Sequence, residues 1–268
     1  DDLAKIVDTN DEWIRTRTGI RERRISSGEG TRHLAAKAAE RALAAAGVAP
    51  EELDIIILGT SSPDRNYPSD ACSVQAAIGA VNAVAFDISA ACAGFIFAMN
   101  IVEGFFKAGI YKTALIIGAE TLSKVTDWSD RGTCVLFGDG AGAAVYALAD
   151  TPFAITLGAR GNDAIHAGGP DRTGSAPITM DGKAVFRFAV DALPKSLNKV
   201  LAETGLTLDD LDWVVCHQAN SRIIDHCIKH LNADPAKFYK NMDRHGNTSA
   251  ASIPVALNEL AEACLLYT

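Results

Sequence analysis

The chain has 268 residues, a mass of 28.3 kDa and 48% hydrophobic residues, which excludes a disordered or low-complexity protein and allows one large or two small domains. Its 25 basic and 33 acidic residues leave a net charge of −8, and that excludes nucleic acid as the main partner, because phosphate binding needs a clustered positive field. No signal peptide and no membrane-spanning apolar run is found, and the six cysteines form no CxxC pair, so a reduced, cytoplasmic protein without a membrane partner is expected.

In chain order, the first clear element is an Ala-rich helix over 31–46, with Thr31 as N-cap and a stop at Gly47. Short apolar runs follow at 54–58, 83–86, 113–117 and 143–147, and another at 213–216. They lack alternation, which predicts strands covered on both faces. A helix is predicted from the turn after Asp87 towards Lys107, and another over 185–204 that stops at Gly205. Pro194 predicts a kink or break in the latter. Strands alternating with helices make an α/β protein.

The pattern repeats. Leu43-Ala-Ala-Ala-Gly47 before Leu53 and Asp54 matches Leu201-Ala-Glu-Thr-Gly205 before Leu211 and Asp212, and the offset is 158 in each pair. Two similar halves, 1–150 and 151–268, with a site at their junction, are therefore expected.

Three positions carry chemistry. Cys92 lies in residues 86–95 (FDISAACAGF), where a strand turns through small residues into a helix. A helix N-terminus favours thiolate over thiol, and small neighbours (Ala90, Ala91, Ala93, Gly94) let a substrate approach; a small buried core thiol fits the position equally well. His217 ends a strand in residues 213–220 (WVVCHQAN), where α/β proteins place functional groups, although a structural histidine is as good a reading. Asn247, in residues 243–252 (DRHGNTSAAS), occupies the turn that matches the Cys92 turn in the repeat, or else caps a helix. The pairing predicts that both approach one site.

Three other features are weaker. Residues 137–143 (FGDGAGA) lack the spacing of a phosphate loop and read as a turn into the strand at 143–147. His226 and His230 lie at i, i+4 beside Cys227 but lack the Glu of a zinc-protease helix, so no metal site is expected. Trp13, set among charged residues, suits an exposed stacking role as well as a core one.

Residues 11–20 (DEWIRTRTGI), 90–95 (AACAGF), 137–142 (FGDGAG), 217–220 (HQAN) and 245–251 (HGNTSAA) occur in this order. Together they resemble β-ketoacyl-acyl-carrier-protein synthase III, the initiating condensing enzymes of bacterial fatty-acid synthesis, over almost the whole chain. The resemblance implies the thiolase-like fold, α/β in five αβαβα layers from two pseudo-symmetric halves, and a homodimer. It implies a Cys92–His217–Asn247 triad and no metal or redox cofactor. Cys92 would take the acyl group of a short acyl-CoA, such as acetyl-CoA. His217 and Asn247 would donate to the thioester oxygen of malonyl-acyl-carrier-protein as it decarboxylates, and the resulting carbanion would attack the acyl-Cys92 carbonyl.

The same resemblance gives Trp13 and Arg131 a CoA adenine to sandwich, with Thr9 and Arg17 near the nucleotide. It places Met180, Gly182 and Asn220 along the pantetheine, Phe137 at the acyl pocket and Tyr67 at the partner subunit's pocket. Lys183, Arg187, Arg222 and Arg244 would form a basic entrance for the acidic carrier protein. Relative to the family, residues 158–178 form a short stretch, and a first strand and the final strands with a glycine-rich turn are expected to be missing. A related acyltransferase of secondary metabolism, or a non-catalytic partner subunit, is the alternative, and Cys92 speaks against the latter.

Overall fold

A computed structural model describes residues 2–150, 152–167, 170–171 and 174–266. The parts of the sequence expectations that concern residues 168–169, 172–173 and 267–268 lie outside the described residues. In chain order the elements are α1 (Asp11–Thr18), α2 (Thr31–Ala46), β1 (Ile55–Gly59), α3 (Asp70–Ile78), β2 (Val84–Ile88), α4 (Gly94–Lys107), β3 (Thr113–Thr121) and β4 (Asp139–Ala147). Four two-residue strands follow: β5 (Ile165–His166), β6 (Pro170–Asp171), β7 (Gly174–Ser175) and β8 (Thr179–Met180). The chain continues through α5 (Gly182–Thr204), β9 (Val214–Val215), α6 (Ser221–Leu231), β10 (Phe238–Tyr239), α7 (Met242–His245) and α8 (Ser252–Glu262).

The chain forms two compact units that interleave along the sequence. One comprises Asp1–Arg23, Ser123–Phe137 and Thr151–Asn247; the other comprises Arg24–Leu122, Gly138–Asp150 and Thr248–Thr268. The boundary expected at residue 150 is one of several points where the chain passes from one unit to the other.

The second unit is built on a sheet of order β2-β1-β3-β4, in which β1 runs parallel to β2 and β3, and β4 is antiparallel to β3. Successive side chains of a strand point to opposite faces. Ile56, Leu58, Leu115 and Ile117 therefore meet Ala35, Ala39 and Leu43 of α2 and Ala71 and Val74 of α3. Ile55, Ile57 and Ile116 meet Phe95, Ala98, Val102 and Phe106 of α4 on the other face, where Ile253 and Leu257 of α8 also pack. Both faces are covered, which is why these runs do not alternate. Each such Ile or Leu, removed completely from water, contributes about 2 kcal/mol.

Helix α2 spans the expected residues and ends at Gly47 with φ +64°. Its cap differs from the sequence expectation. Gly30 is the N-cap, and the carboxylate of Asp64 accepts from the N–H groups of Thr31 (3.0 Å) and Arg32 (3.1 Å). The Thr31 hydroxyl instead donates to the Ser62 carbonyl at 2.6 Å.

The first unit packs α1, α5 and α6 around Ile14, Ile20, Cys216, Ile224, Cys227, Phe238 and Met242, with β9 and β10 paired in parallel. Of the kink or break expected at Pro194, the break is absent: α5 is one helix through Pro194, which is buried inside it. Leu193 and Leu197 pack on the apolar cluster of α6. That tertiary packing holds α5 together despite the N–H that proline lacks.

The repeat extends further than the sequence pattern. Gly47 (φ +64°) and Gly205 (φ +70°) end their helices in the same left-handed turn. The turns Pro50–Glu52 and Leu208–Asp210 follow, each closed by an acidic side chain reaching back to a backbone N–H: Glu52 to Ala49 at 2.7 Å, and Asp210 to Thr207 at 2.8 Å. Later, the turns Ala91–Ala93 and Ser249–Ala251 lead into α4 and α8, and the 158-residue offset holds again.

Candidate active site

In the second unit, β2 ends at Ile88 and the chain turns through Ala91, a non-glycine residue at φ +44°, into the short helical turn that carries Cys92. A left-handed residue other than glycine costs roughly 1–3 kcal/mol, and such strain concentrates at functional sites. Gly94 opens α4. A Cβ there would lie 3.1 Å from Gly59 Cα and 3.3 Å from Ala250 Cβ. The lack of a side chain at Gly94 thus lets α4 seat against β1.

Cys92 is half-buried. Burial pushes its thiol up. The Ser249 hydroxyl, hydrogen-bonded to the sulfur, pulls it down, the buried Glu120 pushes it up again, and its own backbone N–H pulls it down; the net shift is upward. The resting group is a thiol, not the thiolate expected from the helix N-terminus alone. Burial outweighs the dipole, which acts only over the first turn.

Glu120, at the end of β3, is fully buried. It accepts from Ser62 Oγ (2.5 Å), Ser61 Oγ (2.8 Å), Ser61 N (3.1 Å) and Thr60 Oγ1 (3.2 Å), and from the Ser249 hydroxyl. Burial nevertheless raises its pKa. Sequence reasoning passed over this residue. The available signal was a carboxylate inside the apolar run of β3, where a charge is rarely placed without partners.

In the first unit, His217 follows β9. Burial lowers its pKa to about 4, so the imidazole is neutral near pH 7 and carries one N–H. The next residue holds the loop in place. Gln218 Nε2 donates to the carbonyls of Cys216 (2.8 Å) and Tyr239 (3.1 Å), and its Oε1 accepts from Asn241 N (3.0 Å). Asn247 is buried, its N–H donates to Leu136 O at 2.9 Å, and its backbone bridges Phe137. Gly246, at φ +68°, makes this possible, since a Cβ there would meet Arg23 Cγ at 2.7 Å and Leu136 O at 2.8 Å.

Also in this unit, the guanidinium carbons of Arg17 and Arg131 lie 4.5 and 4.8 Å from the centre of the Trp13 ring. Asn10 caps α1 by accepting from Trp13 N at 2.8 Å, and Arg131 donates to Asp8 O at 2.9 Å. Thr9 keeps a buried hydroxyl without a hydrogen-bond partner. Asn220 caps α6 by accepting from Arg222 N at 2.9 Å and donates to Arg17 O at 3.1 Å, a structural task that the sequence did not suggest.

Met180 and Gly182 flank Asp181, which caps α5 by accepting from Lys183 N (3.0 Å) and Ala184 N (3.1 Å). Lys183, Arg187, Arg222 and Arg244 are exposed; Arg222 lies 5.9 Å over Phe186, and Arg244 pairs with Asp243 at 3.3 Å. Tyr67 is 85% exposed in the second unit. His226 and His230 stack with ring centres 6.2 Å apart on the outer face of α6.

Residues 86–161 match the family model described as 3-oxoacyl-[acyl-carrier-protein] synthase III, and residues 201–266 match the model of its C-terminal part. The chain is 50% identical to the β-ketoacyl-[acyl-carrier-protein] synthase III of Clostridium acetobutylicum, over 99% of this chain and 86% of that protein. The crystal structure of the 3-oxoacyl-[acyl-carrier-protein] synthase III of Aquifex aeolicus superposes with a TM-score of 0.94 at 46% identity, covering 99% and 86% of the two chains. The priming β-ketosynthase of the R1128 polyketide pathway gives 0.92 at 35% identity, covering 99% and 83%.

A repeated turn-and-helix unit with a cysteine on one of its two turns, together with the likeness to these solved structures, places the molecule among the thiolase-like condensing enzymes. Within them, the chain belongs to the β-ketoacyl-acyl-carrier-protein synthase III family, whose members catalyse the initiating condensation of fatty-acid synthesis.

Proposed function

We propose that this chain primes fatty-acid synthesis by joining a short acyl group from acyl-CoA to malonyl-acyl-carrier-protein, with Cys92 as nucleophile. The observation that carries this reading is the position of Cys92: half-buried, at the start of a helix, with a hydroxyl donor on its sulfur. Cys92 loses its proton and attacks the thioester carbon of the acyl-CoA; the carbon–sulfur bond to CoA breaks, and CoA leaves with the proton. Malonyl-acyl-carrier-protein then releases CO2. His217 and the Asn247 amide donate to the thioester oxygen as enolate charge develops. The single N–H of a neutral imidazole is enough for this role. The enolate carbon attacks the acyl-Cys92 carbonyl and expels the Cys92 thiolate, and no metal or redox cofactor enters.

Trp13, Arg17 and Arg131 suit a CoA adenine, because an indole and a guanidinium both stack on a purine. Arg131 lies directly on the ring, and a base between the two planes needs about 7 Å, twice the van der Waals spacing, so Arg131 moves outward on binding. Met180, Gly182 and Asn220 are assigned to the pantetheine, Phe137 to the acyl pocket, and Lys183, Arg187, Arg222 and Arg244 to the carrier protein. A homodimer is supported by the open edge of β2 and by exposed Val81, Val84 and Tyr67. No helix among the described residues is long and apolar enough to cross a membrane, and the six free thiols suit the reducing cytoplasm.

Incubation with acetyl-CoA is expected to add one acetyl mass to the protein, and Cys92→Ser to abolish the addition; intact protein that gains no mass overturns the reading. His217→Ala and Asn247→Ala are expected to keep acylation and lose malonyl decarboxylation.

A further inference from the structure

The hydroxyl of Ser249 carries a single hydrogen and interacts with both Cys92 and Glu120. Ser249 occupies the position in the repeat that Ala91 occupies beside the nucleophile, and both residues are held at positive φ, +49° and +44°. Its location is set by packing. A Cβ on Gly118 of β3 would lie 2.1 Å from Ala250 O, so the turn Ser249–Ala251 rests directly on the strand that ends in Glu120. The other hydroxyls around Glu120 are committed. Ser62 Oγ receives Thr121 N (2.9 Å) and Thr60 Oγ1 receives Ser62 N (3.2 Å), so each points its own hydrogen at the carboxyl. Ser249 is the group shared between the carboxyl and the sulfur.

We propose that Ser249 and Glu120 act as a pair of positioning residues that set the readiness of Cys92. When the Ser249 hydrogen points to sulfur, it stabilises the thiolate; when it points to a charged Glu120, the thiolate loses its donor and faces a second negative charge. A neutral Glu120 frees the hydroxyl for the sulfur. The inference rests on the assignment of Cys92 as nucleophile and concerns what tunes it.

Among the described residues, the ionisable group that bears on Cys92 is Glu120 on β3. The turn Ser249–Ala251 carries none. Of those on α4, Glu103 and Lys107 pair with each other at 3.4 Å, about three turns further along.

The test is the pH profile of Cys92 alkylation by iodoacetamide, followed by mass spectrometry of the Cys92 peptide so that exposed Cys72 and Cys264 do not interfere. Ser249→Ala removes the donor and is expected to raise the midpoint by about one pH unit. Ser249→Gly, which takes φ +49° without strain, is expected to do the same and serves if the alanine variant does not fold. Glu120→Gln removes the charge and keeps the side-chain shape, so its midpoint is expected to fall. Shifts of opposite sign support the pair; unchanged midpoints, or shifts in one direction for both sites, overturn it. Alkylation needs no acyl-CoA. Opposite shifts in a protein that fails to accept an acetyl group would therefore keep this inference and reject the assigned reaction.

Discussion

Burial moves a thiol and an imidazole in opposite directions, and both finish neutral: Cys92 is pushed up and His217 is lowered to about 4. Near neutral pH the chain thus rests with an uncharged thiol and an uncharged imidazole. His217 also leaves a mark on stability. Its folded-state pKa lies below the ordinary 6.5, so between pH 6.5 and about 4 the unfolded chain binds a proton that the folded chain refuses. Stability contributed by neutral His217 is complete above pH 6.5 and falls through that window by up to about 3 kcal/mol. Urea unfolding at a series of pH values is expected to show this slope, and His217→Gln to flatten it. A variant with the slope of the parent would show that His217 titrates normally. At this scale the sequence revealed Cys92, His217 and Asn247 as residues worth attention, because each stands in a distinctive strand-end string. It did not reveal Ser249, Glu120 or Gln218. Their importance comes from neighbours far away in the chain, and a serine or glutamine alone carries no such signal.

Elements were legible where their residues answer to one requirement and obscure where they answer to two. The run 54–58 is apolar throughout because β1 is covered on both faces, and its assignment needed nothing else. The apolar run predicts a strand only over 143–147, whereas β4 spans Asp139–Ala147, because the glycines at 140 and 142 resemble a turn. Those glycines belong to a strand on which α8 lies very closely: a Cβ on Gly142 would come 2.8 Å from Pro254 backbone. The helix approach, invisible in a local window, explains the composition. Pro194 is the converse case, a local breaker overridden by packing. The close approach predicts opposite outcomes for two glycine-to-alanine changes. Gly118→Ala drives a Cβ into Ala250 O and is expected to lower unfolding stability by about 3 kcal/mol. Gly104→Ala, in α4 with open space around it, is expected to raise it by up to about 1 kcal/mol. Equal effects in denaturant titrations would contradict the packing described.

For the molecule as a whole, the α/β class and the repeat could be read from the sequence, since both reside in local patterns and their spacing. The interleaving of the units could not, because it depends on which distant segments meet. Among the described residues β2 pairs along one edge only, and its other edge belongs to this scale as well. Val84→Arg on that edge, where Val84 is 48% exposed, is expected to convert a sedimenting dimer into a monomer; a parent protein that already sediments as a monomer would remove the dimer assignment. The repeat also has a kinetic side. Cys92 and Ser249 belong to the same unit yet stand far apart along the chain, and α8, which covers β4 beyond that turn, comes later still. Contacts between distant segments form slowly, since the intervening chain must first be brought together. During synthesis on a ribosome the strands around Cys92 emerge early, but its hydroxyl donor and the helix behind it do not exist until residues 249–262 have been added. Until then a nascent chain holds Cys92 without that donor, although all four strands of its sheet have already been made.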